Sequence, residues 1–579
     1  MSVTKARAII NLFDTTAKDD GTYSVNTIFE YSDIDQLNYD VYQTTKYATC
    51  EQDRFLLDGT YMLMDDPGVH EFSYWSEHVA DANGAFSSVP VITRIFNNYH
   101  SSSGITLTFD PNYPLPREIY IRLFEGQNTL NSGAFEPDEY TYFCDVPAEN
   151  YKGIELRITE ADPYSYARLL AINFGQSLIY EQGSERDLIK ASLLEEIDIM
   201  TSEVAINTSE IKTIDTDEIF DITNPDGLYK FLQERQLIQI FEIVDGQTYE
   251  MANHYLKEWS TENGVVSTFK CQDVLGLMDG TTFRGNLYEE VPAGEIIDEI
   301  MSDYDFSDYY VSQEIYDTLL SGVIAPCTHR QALQQVVFAC GGVIDTSRSS
   351  GIRVYKTSHS VQTTITKDRI FFNPKYKITQ EDLVSGVDVT AHHYIRESAR
   401  SQAYKATLNP GRYEVRFSEP FDSLTASNCT IESSGYYHAI ISVSQTAEVV
   451  IQGYKYTDSI SLYSIRNNDL PSGTKTNIKT VKNATLVSRD NAAELAEHLY
   501  DFYQYRLSHE LKIICGNEKA GNFAAAQSES AMAAMVVRQM NIDLTGGYLA
   551  SIKGIGYSLK NVEDYYTGEL RAGEEMGVI

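Results

Sequence analysis

The stretch "DNAAELAEHLYDFYQYRLSHELKIICGNEKAGN", residues 490–522, brings Glu494, Glu497 and His498 onto roughly one helical turn, side chains able to pass protons in general acid–base work. With Asp490 as the cap, the spacing predicts a helix in which Leu495, Leu499 and Phe502 form an apolar stripe bordered by Ala492, Ala496 and Tyr503. The two glutamates and the histidine fall beside or opposite that stripe, toward solvent. In the strand that follows, Leu511, Ile513 and Cys515 alternate inward. Such a module packs against a core and reads as scaffold.

Other carboxylate pairs are Glu195–Glu196, Asp65–Asp66 and Glu563–Asp564. Adjacency in sequence does not hold two carboxyl groups across a sugar at the separation glycoside hydrolysis requires. His392 and His393 point to opposite faces if they lie on a strand, so they do not share a metal. Cys327 and His329 lack a third group at nucleophile-like spacing, and Cys327 reads as buried. There is no H-E-x-x-H, G-x-S-x-G, Walker loop or dinucleotide fingerprint. The chain therefore reads as non-enzymatic, with no catalytic residue, metal ligand or cofactor assigned.

Binding chemistry is better represented. Tyrosine occurs 41 times against 24 phenylalanines, and a flat ring with a hydroxyl suits wet surfaces that stack sugars or meet proteins. Tyr113 in "DPNYPLP" is expected on an exposed loop beside Asp110 and Arg117, whose polar atoms can bond sugar hydroxyls. Trp75 in "FSYWSEH" is expected to pack on the same unit or line its rim. Trp75, Asp110, Tyr113 and Arg117 are thus the candidate glycan-binding residues. The competing reading of the tyrosines is core and strand packing.

The 83 acidic and 45 basic side chains give a net charge of −38, which opposes affinity for a nucleic-acid backbone. DNA fits only as something passing an acidic lumen that repels it. Seven cysteines, none in C-x-x-C, fit free thiols in a reducing cytoplasm rather than a disulfide framework or zinc site. No secretory signal is evident, and no window approaches the roughly 18 apolar residues of a membrane span. A length of 579 residues suggests about three to five domains.

The elements that position these residues are mainly strands. "GITLTFD", "REIYIRLFEG" and "GIELRITE" alternate apolar and polar residues, as in an antiparallel sandwich. The "NPDG" turn relies on Pro225 and on Gly227 tolerating positive φ. "AGEIIDEIMSDY" and "THRQALQQVVFACGG" read as helices, the second capped by Thr328 and stopped by Gly341 with Leu333, Val336 and Val337 inward. "GGVIDTSRSSGIRVYK" reads as a hairpin.

The succession "NATLVSRDNAAELAEHLYDFYQYRLSHELKIICGNEKAGN" and "VVRQMNIDLTGGYLASIKGIGY" resembles the C-terminal half of a phage tail hub, or baseplate hub, protein. "DIMTSEVAINTSEIKTID", "NPDGLYKFLQERQLIQIFE" and "KEWSTENGVVSTFKCQDVLGLMDG" resemble the first barrel of that family, and "PCTHRQALQQVVFACGGVIDTSRSSGIRVYK" its interbarrel segment. These stretches cover about half the chain. The resemblance implies two hub-type β-barrels; the chain departs from that family in two additions read from the strand pattern, an antiparallel β-sandwich and a small inserted β domain, so the expected fold is mainly β with α+β segments. The corresponding division is an N-terminal β segment at 1–60, a galactose-binding-like sandwich at 61–180, a first barrel at 181–285 and an interbarrel α/β segment at 286–360. A second barrel with C-terminal strands then spans 361–395 and 479–579, interrupted by the inserted domain at 396–478.

The resemblance further implies a homotrimer in the tail or baseplate of a virion or phage-tail-like particle, made in the host bacterial cytoplasm. Its partners would be the tail tube protein, the tip or spike and other baseplate proteins; the two added β domains are expected either to grip neighbouring baseplate proteins or to touch host-surface glycan. The alternatives are a glycan-binding receptor-recognition protein and a polysaccharide-degrading tail enzyme.

Overall fold

The computed structural model describes residues 4–37, 46–51, 54, 60–63, 73–225, 227–232, 235–357, 360–373, 376–468, 470, 473, 475–527 and 532–559. The pairs Asp65–Asp66 and Glu563–Asp564 lie outside the described residues. The chain is mainly β, with a few short helices.

Alternating apolar residues fold seven strands into a closed hydrogen-bonded cycle. Thr4–Phe13 pairs with Leu237–Val244, which pairs onward through Gln247–Glu262, Val266–Gln272 and Thr208–Ile214 to Asp187–Glu196. On its other edge Thr4–Phe13 pairs with Ala171–Glu181, which meets Asp187–Glu196 in parallel at Glu181 and Asp187. Ala6, Ala8, Ile10, Ile211, Ile240 and Phe269 fill the interior. The strands of the expected unit at 181–285 lie in this cycle together with Thr4–Phe13 and Ala171–Glu181, which come from outside it.

The far half of Asp187–Glu196, from Ser192 to Glu196, also pairs with Met532–Asp543, from which a second strand set continues through Leu549–Leu559 and Leu507–Ile514 to Lys377–Gln380. One strand therefore belongs to both sets.

Ala171–Glu181 is shared as well. Its first half pairs with Ile105–Thr108, opposite a five-stranded sheet built on Val91–Ser102, Ala148–Glu160 and Glu118–Glu125. Ile105, Leu107, Ile119, Ile121, Ile154 and Leu156 form the core between the layers. The strand changes partner at Gly175, whose φ is +137° and where an added Cβ would stand 1.9 Å from the Leu12 carbonyl oxygen, a position only glycine fits. His100 bridges sandwich and cycle, with its ring nitrogens 2.8 Å from Asp14 and 2.9 Å from Asp20. The His100 hydrogen bond holds Asp20 well below the usual carboxylate range.

Helices Ala293–Tyr304, His329–Ala339 and Ala492–Tyr503 share one core with the hairpin Val343–Asp345 and Ile352–Tyr355 and with Gly386–Ala391. Thr328 caps His329–Ala339 in a reciprocal capping box with Gln331, and Gly341 takes a φ of +63°. Two local expectations are corrected. Gly227 has φ −69°, so it is needed for space: a Cβ there would stand 2.9 Å from the Ile219 carbonyl oxygen. The cap of Ala492–Tyr503 is Asn491, not Asp490; Asn491 Nδ2 donates to the Ala339 and Leu486 carbonyls.

The inserted domain comprises two three-stranded sheets around Val415, Phe417, Ile441, Val449 and Ile451. Its expected span of 396–478 is corrected to the strands from Tyr394 to Asp458, because Ser461–Arg466 and Ile478–Val481 return to flank Gly386–Ala391 in the host. Tyr437 and Tyr456 seat it on Leu287 and Val323.

Candidate functional site

The sandwich places Trp75 and Tyr113 inside, each only 2% exposed. Between them lies Arg168, its guanidinium carbon 4.0 Å from the Trp75 ring centroid and 3.6 Å from that of Tyr113. Arg168 forms a two-pronged ion pair with Glu51, donating from NH1 to Oε1 at 2.8 Å and from NH2 to Oε2. Burial pushes the Glu51 carboxyl up, but the bonds and charge of Arg168 hold it below its ordinary value. Tyr113 is therefore buried rather than on an exposed loop, and it and Trp75 each turn a ring face to the guanidinium.

Asp110 is buried and accepts from the Asn112 backbone and side-chain amides; burial raises its carboxyl. Arg117 stands apart on the surface, paired with Asp162 at 2.9 Å. Sequence reasoning missed Glu51 and Arg168 because neither sits in a motif. The proline-rich "DPNYPLP" suggested an outward loop, whereas Tyr113 turns back under it.

Glu494 and His498 line an open cleft with Cys340, Lys356, Thr318 and Asn491. The chemistry there is quiet. Burial pushes the Cys340 thiol up to about 12, far from a nucleophilic thiolate. Lys356 is held between Glu314 at 3.3 Å and Glu494 at 3.0 Å. Glu497 is exposed. His392 is buried against Asp458 at 2.7 Å, while His393 is exposed. Cys327 is half-buried rather than buried, with its thiol raised to about 11 by desolvation. Among the described residues no group of three His, Cys, Asp or Glu is placed to hold a metal ion.

A buried polar cluster forms a junction. Glu195, from the strand both sets share, accepts from Arg348 Nε at 2.8 Å. Arg348 lies in the hairpin turn at φ +50° and also donates to the Glu518 carbonyl at 2.6 Å. Arg369 grips the Glu518 carboxylate through both terminal nitrogens, at 2.8 and 2.6 Å. Asp345, fully buried, accepts from Arg353 at 2.9 Å and from Lys519 at 3.2 Å. Burial raises the Glu195 carboxyl despite Arg348; in Glu518 the same desolvation is outweighed by Arg369, which leaves it lowered. The cluster fixes strand sets and helical layer in one relative position. In the sequence these residues were visible only as the turns "SRSSG" and "NEKAGN".

A scan against protein-family models and a search of curated proteins find no match. Solved structures do. The 43 kDa tail protein of prophage MuSo2 from Shewanella oneidensis matches at 8% identity and TM-score 0.39, covering 66% of this chain and 95% of that one. A tail protein from Neisseria meningitidis MC58 matches at 10% identity and TM-score 0.39, covering 64% and 92%. These are tail proteins. An E. coli component of the type VI secretion system, described as similar to the T4 tail proteins gp27 and gp5, matches at 8% identity and TM-score 0.34, covering 66% and 76%. They belong to the class the sequence segments resemble. At such identities and TM-scores no activity or partner passes from them to this chain.

Proposed function

We propose that the chain is a non-catalytic hub of a tail-like particle, assembling as a homotrimer that joins a sixfold tube to a threefold tip. The observation that carries this reading is the strand Asp187–Glu196, which completes one strand cycle and begins a second set. Two fused β units per subunit turn three copies into a six-unit ring, which is the geometry such a joint needs. The buried ionic junction supports it by holding the units rigidly. The inert Cys340 and neutralised Lys356 support a role without catalysis. Tube protein, tip or spike and neighbouring baseplate proteins are the partners of this reading, and the virion is its location.

Glycan recognition by Trp75, Asp110, Tyr113 and Arg117 is not favoured, since three of the four are buried. The test is light scattering on the full chain with and without tube protein, followed by imaging of the particle's end. A trimer seated around the central channel is expected. A chain that stays monomeric beside tube protein, or one found only at the particle's periphery, would overturn the reading.

A further inference from the structure

Charge is unevenly distributed along this acidic chain. Residues 459–489 carry Arg466, Lys475, Lys479, Lys482 and Arg489 against a single acid, Asp469, while residues 285–328 carry ten acidic and no basic residues. The basic segment supplies both outer strands, Ser461–Arg466 and Ile478–Val481, of a three-stranded sheet around Gly386–Ala391. Among the described residues neither outer strand has a partner on its far side. Ile460 and Leu462 are 65% and 63% exposed there. Lys475, Lys479, Lys482 and Arg489 make no ion pair among the described residues; Lys479 rests over the Tyr503 ring.

The acidic segment likewise shows Tyr310 and Leu319 to solvent, 61% and 55% exposed. Glu289, Glu290, Glu295, Asp305 and Asp308 have no basic partner among the described residues; within one chain the two segments meet where Thr485 Oγ1 donates to the Val323 carbonyl, away from the exposed charges, and no ion pair among the described residues joins them. The Ser461–Arg466 edge carries a charge only at Arg466, its last residue, and an unpaired edge with exposed leucine and isoleucine beside it is a pairing template that soluble proteins normally block. Apolar residues rimmed by charge mark an interaction surface. When two different patches of one chain complement each other, the contact between copies is head-to-tail, and such contacts form a ring where the rotation between copies closes.

We propose that residues 459–489 of one copy dock on residues 285–328 of the next, forming the contact that closes the ring. This rests on the hub reading and locates its subunit interface. A polyanion such as DNA would engage the lysines but leave Ile460, Leu462 and the open strand edge uncovered, and would have to approach a body of net charge −38.

The test is the mass of the full chain by light scattering at about 50 and about 500 mM salt, a range over which exposed charge pairs lose most of their attraction. One variant carries Lys475→Glu, Lys479→Glu and Lys482→Glu; a second carries Glu289→Lys, Glu295→Lys and Asp308→Lys. Each is expected to weaken assembly at least about tenfold with an unchanged circular dichroism spectrum. A chain carrying both sets regains complementary faces and is expected to reassemble, which a merely misfolded variant cannot do. Unchanged mass and salt response in the first two, or a folded double-reversed chain that stays apart, would overturn the interface while leaving a wild-type trimer, and hence the hub reading, intact. A wild-type chain that is monomeric at both salt concentrations, with and without tube protein, overturns both. Binding of a short DNA duplex that is lost on lysine reversal with no change in mass assigns the patch to a polyanion and also overturns the interface.

Discussion

Arg348 reaches from a hairpin turn to Glu195, Nε to Oε1 at 2.8 Å, on the strand shared by both strand sets. Both side chains are largely withdrawn from water, so removing one strands the other's charge. Arg348→Ala is expected to cost about 3–5 kcal/mol in a urea titration. Replacing both with apolar residues of similar volume should cost much less, because the desolvation of two charges disappears with their attraction. A single-variant loss under about 1 kcal/mol would show that the pair does not tie the units together.

The Arg168 guanidinium combines a two-pronged bond to Glu51 with stacking on Trp75 and Tyr113. Lysine keeps the charge but lacks the planar fork and the stacking face. Arg168→Lys should therefore destabilise the sandwich by about 2–3 kcal/mol. Trp75 is one of only two tryptophans, so emission from a Trp259→Phe background isolates it. A red shift and stronger acrylamide quenching are expected in the lysine variant; an unchanged spectrum would deny the stacked arrangement.

What the sequence made legible was periodic and local. The helix Ala293–Tyr304 matches "AGEIIDEIMSDY" residue for residue, the Thr328 cap is in place, and Leu495, Leu499 and Phe502 are buried as their spacing required. Contacts distant in sequence were not legible. Nothing near Thr4 announces that it pairs with Val244, and nothing near Glu51 announces Arg168, because strand pairing and buried ion pairs depend on the completed topology. Turn chemistry misled at Tyr113: polar and proline residues mark a change of direction, not which side chains turn inward.

Two kinds of buried group give opposite pH slopes. Burial lifts Glu242 to about 8, so the folded chain keeps a proton that the unfolded chain releases near 4.5. That stabilisation is complete below about pH 4.5 and is lost as pH rises through 8, about 2–4 kcal/mol in all. Burial lowers His254 to about 3 and His509 to about 4. The unfolded chain protonates these near 6.5 while the folded chain resists, so stability also falls as pH drops below about 6.5. Denaturant midpoints should peak near about pH 6.5. In Glu242→Gln the decline from 6.5 to 8 should vanish; an identical decline would remove Glu242 as its source.

The seven cysteines are all free, and only Cys50 is exposed. Burial raises Cys144, Cys271 and Cys340 to about 12 and Cys327 to about 11. Because the thiolate is the reactive form, these four should resist alkylation at neutral pH in the folded chain. A disulfide-exchange reagent is expected to titrate one thiol quickly, and Cys50→Ser should abolish that phase. Half-buried Cys327 and Cys429 should follow more slowly, and the buried cysteines only on unfolding, with a rate that tracks denaturant. Rapid labelling of Cys340 in the native chain would mean that its cleft holds an activated thiol, and would reopen the case for chemistry at Glu494 and His498.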